Sequence, residues 1–162
     1  MSARRAATLL LVGAALVAAA GARAQAPARI ANIEKAAAEI AGIHHNKGND
    51  GATAAIDACY KRELPNARAL TPGLEACMAQ DIIIAKISAS FFARMPESAR
   101  KAAGVSNPGN ITKAMADRVY GILGRLKVPE KDAMEFSKIV QLHGMEAYGR
   151  ARFPSEFPEK KS

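Results

Sequence analysis

Residues 59–77, CYKRELPNARALTPGLEAC, hold the only two cysteines of the chain and predict a helical hairpin. Pro65 ends one helix, because proline lacks the backbone N–H that a helix interior needs. Thr71 and Pro72 begin the next helix as its N-cap and its first helical residue. The stretch therefore predicts two helices joined by a short connection.

The two cysteines lie at matching heights on this predicted hairpin. Cys59 lies five residues before Leu64, the expected end of its helix, and Cys77 lies five residues after Pro72. At a rise of about 1.5 Å per residue, both thiols then lie about 7.5 Å from the turn. Both also fall on apolar faces, so the spacing favours a structural disulfide that contributes about 3 kcal/mol.

Two other interpretations of the cysteines remain open. A redox-active pair usually lies closer in sequence than 18 residues. A zinc site would need two further ligands, and the three histidines have no ligand spacing relative to the cysteines. Reactive thiols and metal binding are thus the weaker hypotheses.

The chain begins with a pattern typical of a secretory signal peptide. Arg4 and Arg5 precede an uncharged run over residues 8–20, and Ala22-Arg23-Ala24 has the small-x-small form of a cleavage site. The run is shorter than the roughly 20 residues that span a bilayer, which disfavours an uncleaved anchor. We predict a signal peptide over residues 1–24, cleavage after Ala24, export to the periplasm and no membrane span afterwards.

Cleavage would remove much of the apparent basicity. The full chain of 162 residues has 23 basic and 15 acidic side chains. Residues 1–24 contain three arginines and no acid, so the mature chain would have 20 basic and 15 acidic side chains, a net charge of +5. These charges are dispersed along the chain and do not form the basic stripe of a nucleic-acid-binding protein. We expect no nucleic-acid partner.

Apolar periodicity predicts an all-α fold, a single bundle of about five helices with one disulfide-stapled hairpin. The bundle is expected over residues 25–153, with a flexible C-terminal tail over 154–162. Gly121 and Gly124 on the fourth helix are interpreted as points of close backbone approach. The expected helices cover residues 27–44, 52–64, 72–94 and 110–127, with the fifth beginning at 128.

The three histidines are the next candidates for chemistry. His44 and His45 lie at the end of the first helix and form the weakest candidate metal site, because neighbouring side chains on a helix diverge by about 100°. The following turn resembles a calcium loop only faintly and lacks its first acidic ligand. His143 is expected to face inward on the fifth helix as a hydrogen-bonded buried polar residue.

Asp81 is the most informative polar residue. It falls on the apolar face of the third predicted helix, where a carboxylate needs a partner or a raised pKa. We expect a salt bridge to an arginine such as Arg118 or Arg62, and the alternative is a functional carboxylate lining a groove. No nucleophile–base pair, paired carboxylates or phosphate loop is present, so we expect neither a catalytic site nor a cofactor.

A threonine lies six residues before Cys77, an apolar residue three before it and an acid four after it: Thr71, Leu74 and Asp81. With Cys59 as the earlier cysteine, residues 59–95 resemble part of the LprI-type lysozyme-inhibitor-like small secreted domains, whose cysteine motif has this spacing. The family's later Leu-Asn-x-x-Tyr signature has no counterpart here. The resemblance implies an all-helical, disulfide-stapled envelope protein and, less strongly, lysozyme inhibition.

These features predict a non-enzymatic periplasmic protein that binds or protects another envelope protein, as an inhibitor-like or accessory factor. The alternative function is carriage of a small ligand or metal ion. The sequence specifies no oligomeric state.

Overall fold

The computed structural model describes the backbone of residues 6–157 and the side chains of residues 27–157. Within this part of the chain the fold is an all-α bundle without strands. The predicted signal peptide falls mostly on residues without described side chains, and its first five residues lie outside the described part. The helices are α1 (Ala6–Glu63), α2 (Pro72–Arg94), α3 (Glu97–Ala102), α4 (Gly109–Arg125), α5 (Glu130–Ile139) and α6 (Met145–Arg152).

Helix α1 consists of two arms that meet at Gly48. Gly48 has φ 65° and ψ −165°, a non-helical conformation that glycine adopts without steric cost. The first arm contacts the beginning of α2 through Asn32, whose Nδ2 donates to the Pro72 carbonyl at 2.9 Å. The second arm returns to the same end, where the Glu63 carboxylate lies against Gly73. The chain therefore folds back at Gly48.

This geometry corrects the predicted first connection. We expected a turn across residues 45–51, whereas helical conformation continues to either side of a single glycine. The first helix also does not begin at Pro27, since α1 of the full chain runs through that residue. A single left-handed residue is enough to interrupt the helix because it redirects the backbone between two otherwise regular segments.

Helix α2 is the central element of the bundle, as its apolar sequence predicts. It begins and ends at the expected residues, and Thr71 caps it by accepting a hydrogen bond from the Leu74 N–H at 3.2 Å. Among the described helices, α2 alone is long and apolar enough to cross a membrane, with a mean hydropathy of 1.4 over 18 residues. Of that stretch 61% is buried inside the protein, so most of it is covered by the other helices.

The predicted disulfide is confirmed. Cys59 and Cys77 are bonded, with their Cα atoms 5.5 Å apart, and join the second arm of α1 to α2. Both residues lie in the hydrophobic core. Tyr60, next to the first cysteine, is buried as well. The staple thus fixes the hairpin at the height expected from its sequence.

Helix α4 lies along α2 and ends in a tight hydrogen-bonded motif. The Val128 N–H donates to the Leu123 carbonyl, and the Lys127 N–H donates to the Gly124 carbonyl, both at 3.0 Å. This is a Schellman arrangement, in which the residue at the position of Lys127 is left-handed and usually glycine. Lys127 has φ 52°, and the left-handed conformation costs an ordinary residue about 1–2 kcal/mol.

The interpretation of Gly121 and Gly124 is wrong. Both are exposed, and a Cβ atom on either would meet no atom within 4 Å. Gly144 does permit close approach of helices in the core, because a Cβ there would lie 3.2 Å from atoms of Ile33 and Ile83. Gly144 ends a π-helical turn, Val140–Gly144, that connects α5 to α6 and presses the chain against α1 and α2.

The C-terminal segment begins with an ordered contact. Pro154–Glu156 form a 3₁₀ turn, and the Phe157 ring lies against Gly149 of α6. Residues 158–162 lie outside the described part of the chain. Flexibility of the tail therefore stays a prediction for residues 158–162.

Replacing both cysteines tests the contribution of the staple. We expect Cys59→Ala/Cys77→Ala to lower the free energy of unfolding by about 3 kcal/mol in urea titrations, because an 18-residue separation is no longer constrained in the unfolded chain. Reduction should destabilise the wild type similarly and leave the double variant unchanged. A double variant as stable as the oxidised wild type would contradict the argument.

Candidate functional site

A buried carboxylate holds three helices together at the centre of the bundle. Asp81 on α2 is 3% exposed. Arg118 on α4 donates to it through two bonds, from Nε to Oδ2 and from Nη2 to Oδ1, each 2.7 Å long. The Tyr60 hydroxyl on the second arm of α1 donates to Oδ2 at 3.0 Å. The predicted salt bridge is confirmed with Arg118 as the partner.

Arg62, the other arginine considered for Asp81, points elsewhere. Its Nε donates to the Glu63 carboxylate at 2.7 Å, and its Nη2 lies 3.6 Å from Cys59 Sγ. Helical spacing explains the difference, since residue 62 lies two positions, about 200°, beyond Tyr60 on the same helix. Tyr60 therefore faces Asp81 and Arg62 does not.

The network shifts the protonation equilibria of both donors. Burial raises the pKa of Tyr60, and the neighbouring Asp81 charge raises it further. The hydrogen bonds to Asp81 raise the pKa of Arg118. The tyrosine thus stays neutral and the arginine charged across physiological pH. Asp81 accepts three hydrogen bonds and is occupied as an ion-pair partner, an arrangement unlike that of a free catalytic base.

Arg118 connects this buried network to the surface. Its side chain is 45% exposed, although the partner carboxylate is almost fully buried. It lines an open cleft of about 570 Å³ together with Tyr60 and Arg125. We call this surface the Arg118 cleft; its lining residues are Asp57, Tyr60, Lys61, Leu64, Pro65, Arg118 and Arg125.

The Arg118 cleft combines fixed positive charge with apolar surface. Lys61, Arg118 and Arg125 carry positive charges, and Asp57 is the one acid among its lining residues. Two bonds to Asp81 fix the plane of the Arg118 guanidinium before any partner arrives, so little side-chain entropy remains to be lost on binding. Chemically, the cleft can bind a carboxylate or another anionic group that lies beside apolar side chains.

The structure separates His44 from His45. The Nδ1 atom of His44 lies 2.5 Å from the Tyr148 hydroxyl on α6. Burial lowers the pKa of His44, and the Arg152 charge lowers it further, whereas a hydrogen bond with Asn49 acts in the opposite direction. His45 is exposed. Across residues 27–157 no cluster of three potential metal-binding side chains occurs, and the two histidines do not converge.

The inward orientation predicted for His143 is wrong. Its side chain is 40% exposed, and its Nδ1 lies 3.7 Å from the Glu34 carboxylate. The π-helical turn accounts for the difference, because its extra residue per turn shifts the periodicity on which the prediction relied. Val140 and Gly144 take the inward positions instead.

A second buried ion pair was missed by the sequence-based reasoning. Arg29 Nη2 lies 2.6 Å from Glu75 Oε1, and the guanidinium lies over the Phe136 ring at 5.5 Å. Burial raises the pKa of Glu75, while the Arg29 charge opposes that shift. By its position on the helix, Glu75 belongs to the narrow polar strip of α2, which favours exposure to solvent. Its burial depends on where the first arm of α1 crosses α2, and no local signal specifies that crossing.

No protein-family model, curated protein or solved structure matches the chain.

The ion pair predicts an asymmetry between its two partners. Arg118→Ala leaves the buried Asp81 carboxylate with Tyr60 alone, and we expect it to cost about 3 kcal/mol of unfolding free energy. Asp81→Asn leaves a half-exposed guanidinium that water can solvate, so a smaller loss of about 1–2 kcal/mol is expected. Urea titrations measure both, with the exposed Arg125→Ala as the matched control within about 0.5 kcal/mol. A larger loss for Asp81→Asn would contradict this assignment.

The environment of His44 predicts a loss of stability in mild acid. Its pKa in the folded state lies below its ordinary value of 6.5, so the unfolded chain binds this proton more readily. The urea midpoint should therefore fall as the pH is lowered from about 7.5 to 5.5, with the loss beginning near the unfolded pKa. His44→Gln should weaken this pH dependence, whereas His45→Gln, a change at an exposed neighbour, should preserve it. Equal slopes in all three proteins would contradict the role of His44.

Proposed function

We propose that this chain is an exported, non-enzymatic binding protein of the cell envelope, which recognises an acidic surface of another envelope protein through the Arg118 cleft. The proposal rests on one observation: two hydrogen bonds to the buried Asp81 carboxylate hold the half-exposed Arg118 side chain in a fixed orientation. The bundle serves as the rigid scaffold of this cleft.

The N-terminal pattern and the disulfide support export together. Residues 1–24 have the charge, length and small-residue pattern of a signal peptide. Disulfides persist in oxidising compartments such as the periplasm and are rare in the cytosol. A core bond between Cys59 and Cys77 is consistent with folding after export.

The composition of the cleft supports protein recognition. Arginine and tyrosine are enriched among residues that dominate binding energy, and a pre-oriented arginine loses little freedom on binding. Leu64 and Pro65 add apolar surface next to the cationic groups. A partner segment with aspartate or glutamate side chains beside an apolar residue matches both properties.

The resemblance of residues 59–95 to LprI-type domains favours an inhibitor among such binding proteins. In this chain two residues of the shared motif have structural roles, since Thr71 caps α2 and Asp81 anchors Arg118. Binding specificity would then come from the residues around the motif, chiefly those that line the cleft.

Site-specific photo-crosslinking in the exporting host tests the proposal. A photoreactive residue at Lys61 or Arg125, both exposed on the cleft, should give one discrete adduct with an envelope protein, identified by mass spectrometry. The same residue at Ala114 or Lys138, exposed positions outside the cleft, should give none. Equal adducts at all four positions, or no adduct at the cleft positions, would remove the support for this surface.

Charge reversal tests the chemistry of the contact. With the photoreactive residue at Lys61, Arg125→Glu should abolish the adduct because it repels an acidic partner, and Lys138→Glu should leave the adduct unchanged. Arg118 and Asp81 remain intact in these variants, so the buried network is preserved. An adduct unaffected by Arg125→Glu would exclude an acidic contact at this position.

A further inference from the structure

A separate groove of about 660 Å³ lies where the first arm of α1, the segment before α2 and the α4–α5 connection meet. Its volume is within the range of small-molecule sites, roughly 300–1,000 Å³. The groove is lined by polar and charged side chains as well as apolar ones, and five of its residues are ionisable: Arg29, Glu75, Lys127, Asp132 and Glu135.

Lys127 occupies a backbone position that favours glycine. Of the three left-handed residues in the described part of the chain, Gly48 and Gly104 are glycines and Lys127 is the exception. A lysine at a helix C-terminus interacts favourably with the helix dipole, but Arg125 already places a cation in the last turn of α4. The local structure therefore does not require this lysine, whose exposed side chain lines the groove.

Arg29 provides an independent observation at the same groove. The Arg29 Nη2 atom is paired with Glu75, and the face of the guanidinium lies against the Phe136 ring. The Arg29 Nε atom, however, is buried and has no hydrogen-bond partner among the described residues. Buried polar groups are nearly always hydrogen-bonded, to protein, water or ligand. The Arg29 guanidinium, which lines the groove, thus has a donor that no described residue uses.

The lining charges of both signs define the ligand. Arg29 and Glu75 neutralise each other in their ion pair, although Arg29 Nε keeps its unused donor. Lys127 suits an anionic group, whereas Asp132 and Glu135 suit a cationic group. A ligand with a single charge would be attracted by Lys127 and repelled by the two acids, or the reverse. We propose that the groove binds a small zwitterion of the amino-acid or short-peptide class, with its carboxylate at Arg29 and Lys127 and its ammonium group at Asp132 and Glu135.

NMR titration of the oxidised protein tests the site with four probes: alanine, dialanine, N-acetyl-dialanine and dialanine amide. Free dialanine should shift the amide signals of Asn32, Lys127 and Val128 with a Kd of about 1 mM or lower. Blocking either end removes one charge, so both blocked forms should bind at least about tenfold more weakly. Alanine reports whether a single residue is sufficient to span both charged pairs.

Two outcomes of this titration would overturn the proposal. The first is the absence of shifts at these residues with both alanine and dialanine up to about 50 mM, far above the expected Kd. The second is equal binding of the free and blocked peptides, which would show that the charges do not recognise the ligand.

Variants at Lys127 separate binding from folding. Lys127→Gly should raise the urea midpoint or leave it unchanged, because glycine suits the left-handed position, and should weaken dialanine binding at least about tenfold. Lys127→Ala should weaken binding equally without raising the midpoint, and Lys138→Ala, outside the groove, should change neither. A lower midpoint for Lys127→Gly would show that the lysine supports the fold, and unchanged binding would exclude its role in the site.

Asp132→Asn tests the opposite end of the ligand. This exposed residue can lose its charge without disturbing a buried contact. The variant should prefer dialanine over N-acetyl-dialanine by a smaller factor than the wild type does, since the ammonium group keeps only Glu135 as a partner. A preference for the free peptide that is as large as in the wild type would contradict the proposed orientation.

Discussion

The buried charge of Asp81 is the constraint on which the arrangement of the helices depends. An unpaired carboxylate inside a protein costs several kcal/mol, so any packing of α2 must bring donors to it. Two elements supply them: α4 through Arg118 and the second arm of α1 through Tyr60. Apolar side chains alone would tolerate other rotations and shifts of these helices, whereas the two-bond geometry of the arginine fixes one register. The disulfide, one turn away on α2, fixes the height of the same arm.

Much of this centre could be predicted because its signals are local. Thr71-Pro72 specifies the beginning of α2. Asp81, a charged residue on an apolar face, indicates that a partner is buried beside it. The equal distances of Cys59 and Cys77 from the turn indicate the disulfide. The cationic cleft itself was not predicted. Lys61 and Arg125 are separated by 64 residues and meet only because the Asp81 pair brings α4 alongside the second arm of α1.

The errors arise because helical periodicity predicts which residues share a face, but neither what covers that face nor where the period is interrupted. Gly121 and Gly124 suggested a close neighbour, yet that side of α4 is open. His143 was placed inside by a regular helical period, which the π-helical turn interrupts. The burial of Glu75 follows from the return of the chain at Gly48, a single-residue reversal that is indistinguishable in sequence from an ordinary turn. Long-range placement decides the first and the third case, and a local irregularity of the helix decides the second.

The two proposed sites both include residues from the connection between α1 and α2 and from the end of α4 or just beyond it. The Arg118 cleft includes Leu64, Pro65 and Arg125, and the groove includes Ala69, Leu70, Pro72 and residues 126–129. Both surfaces therefore depend on the same two connections, which contain little regular structure of their own. The disulfide restrains one connection, and the Schellman motif restrains the other despite its left-handed lysine. Because these restraints act on the backbone, the exposed side chains around them can serve binding without being needed for the core.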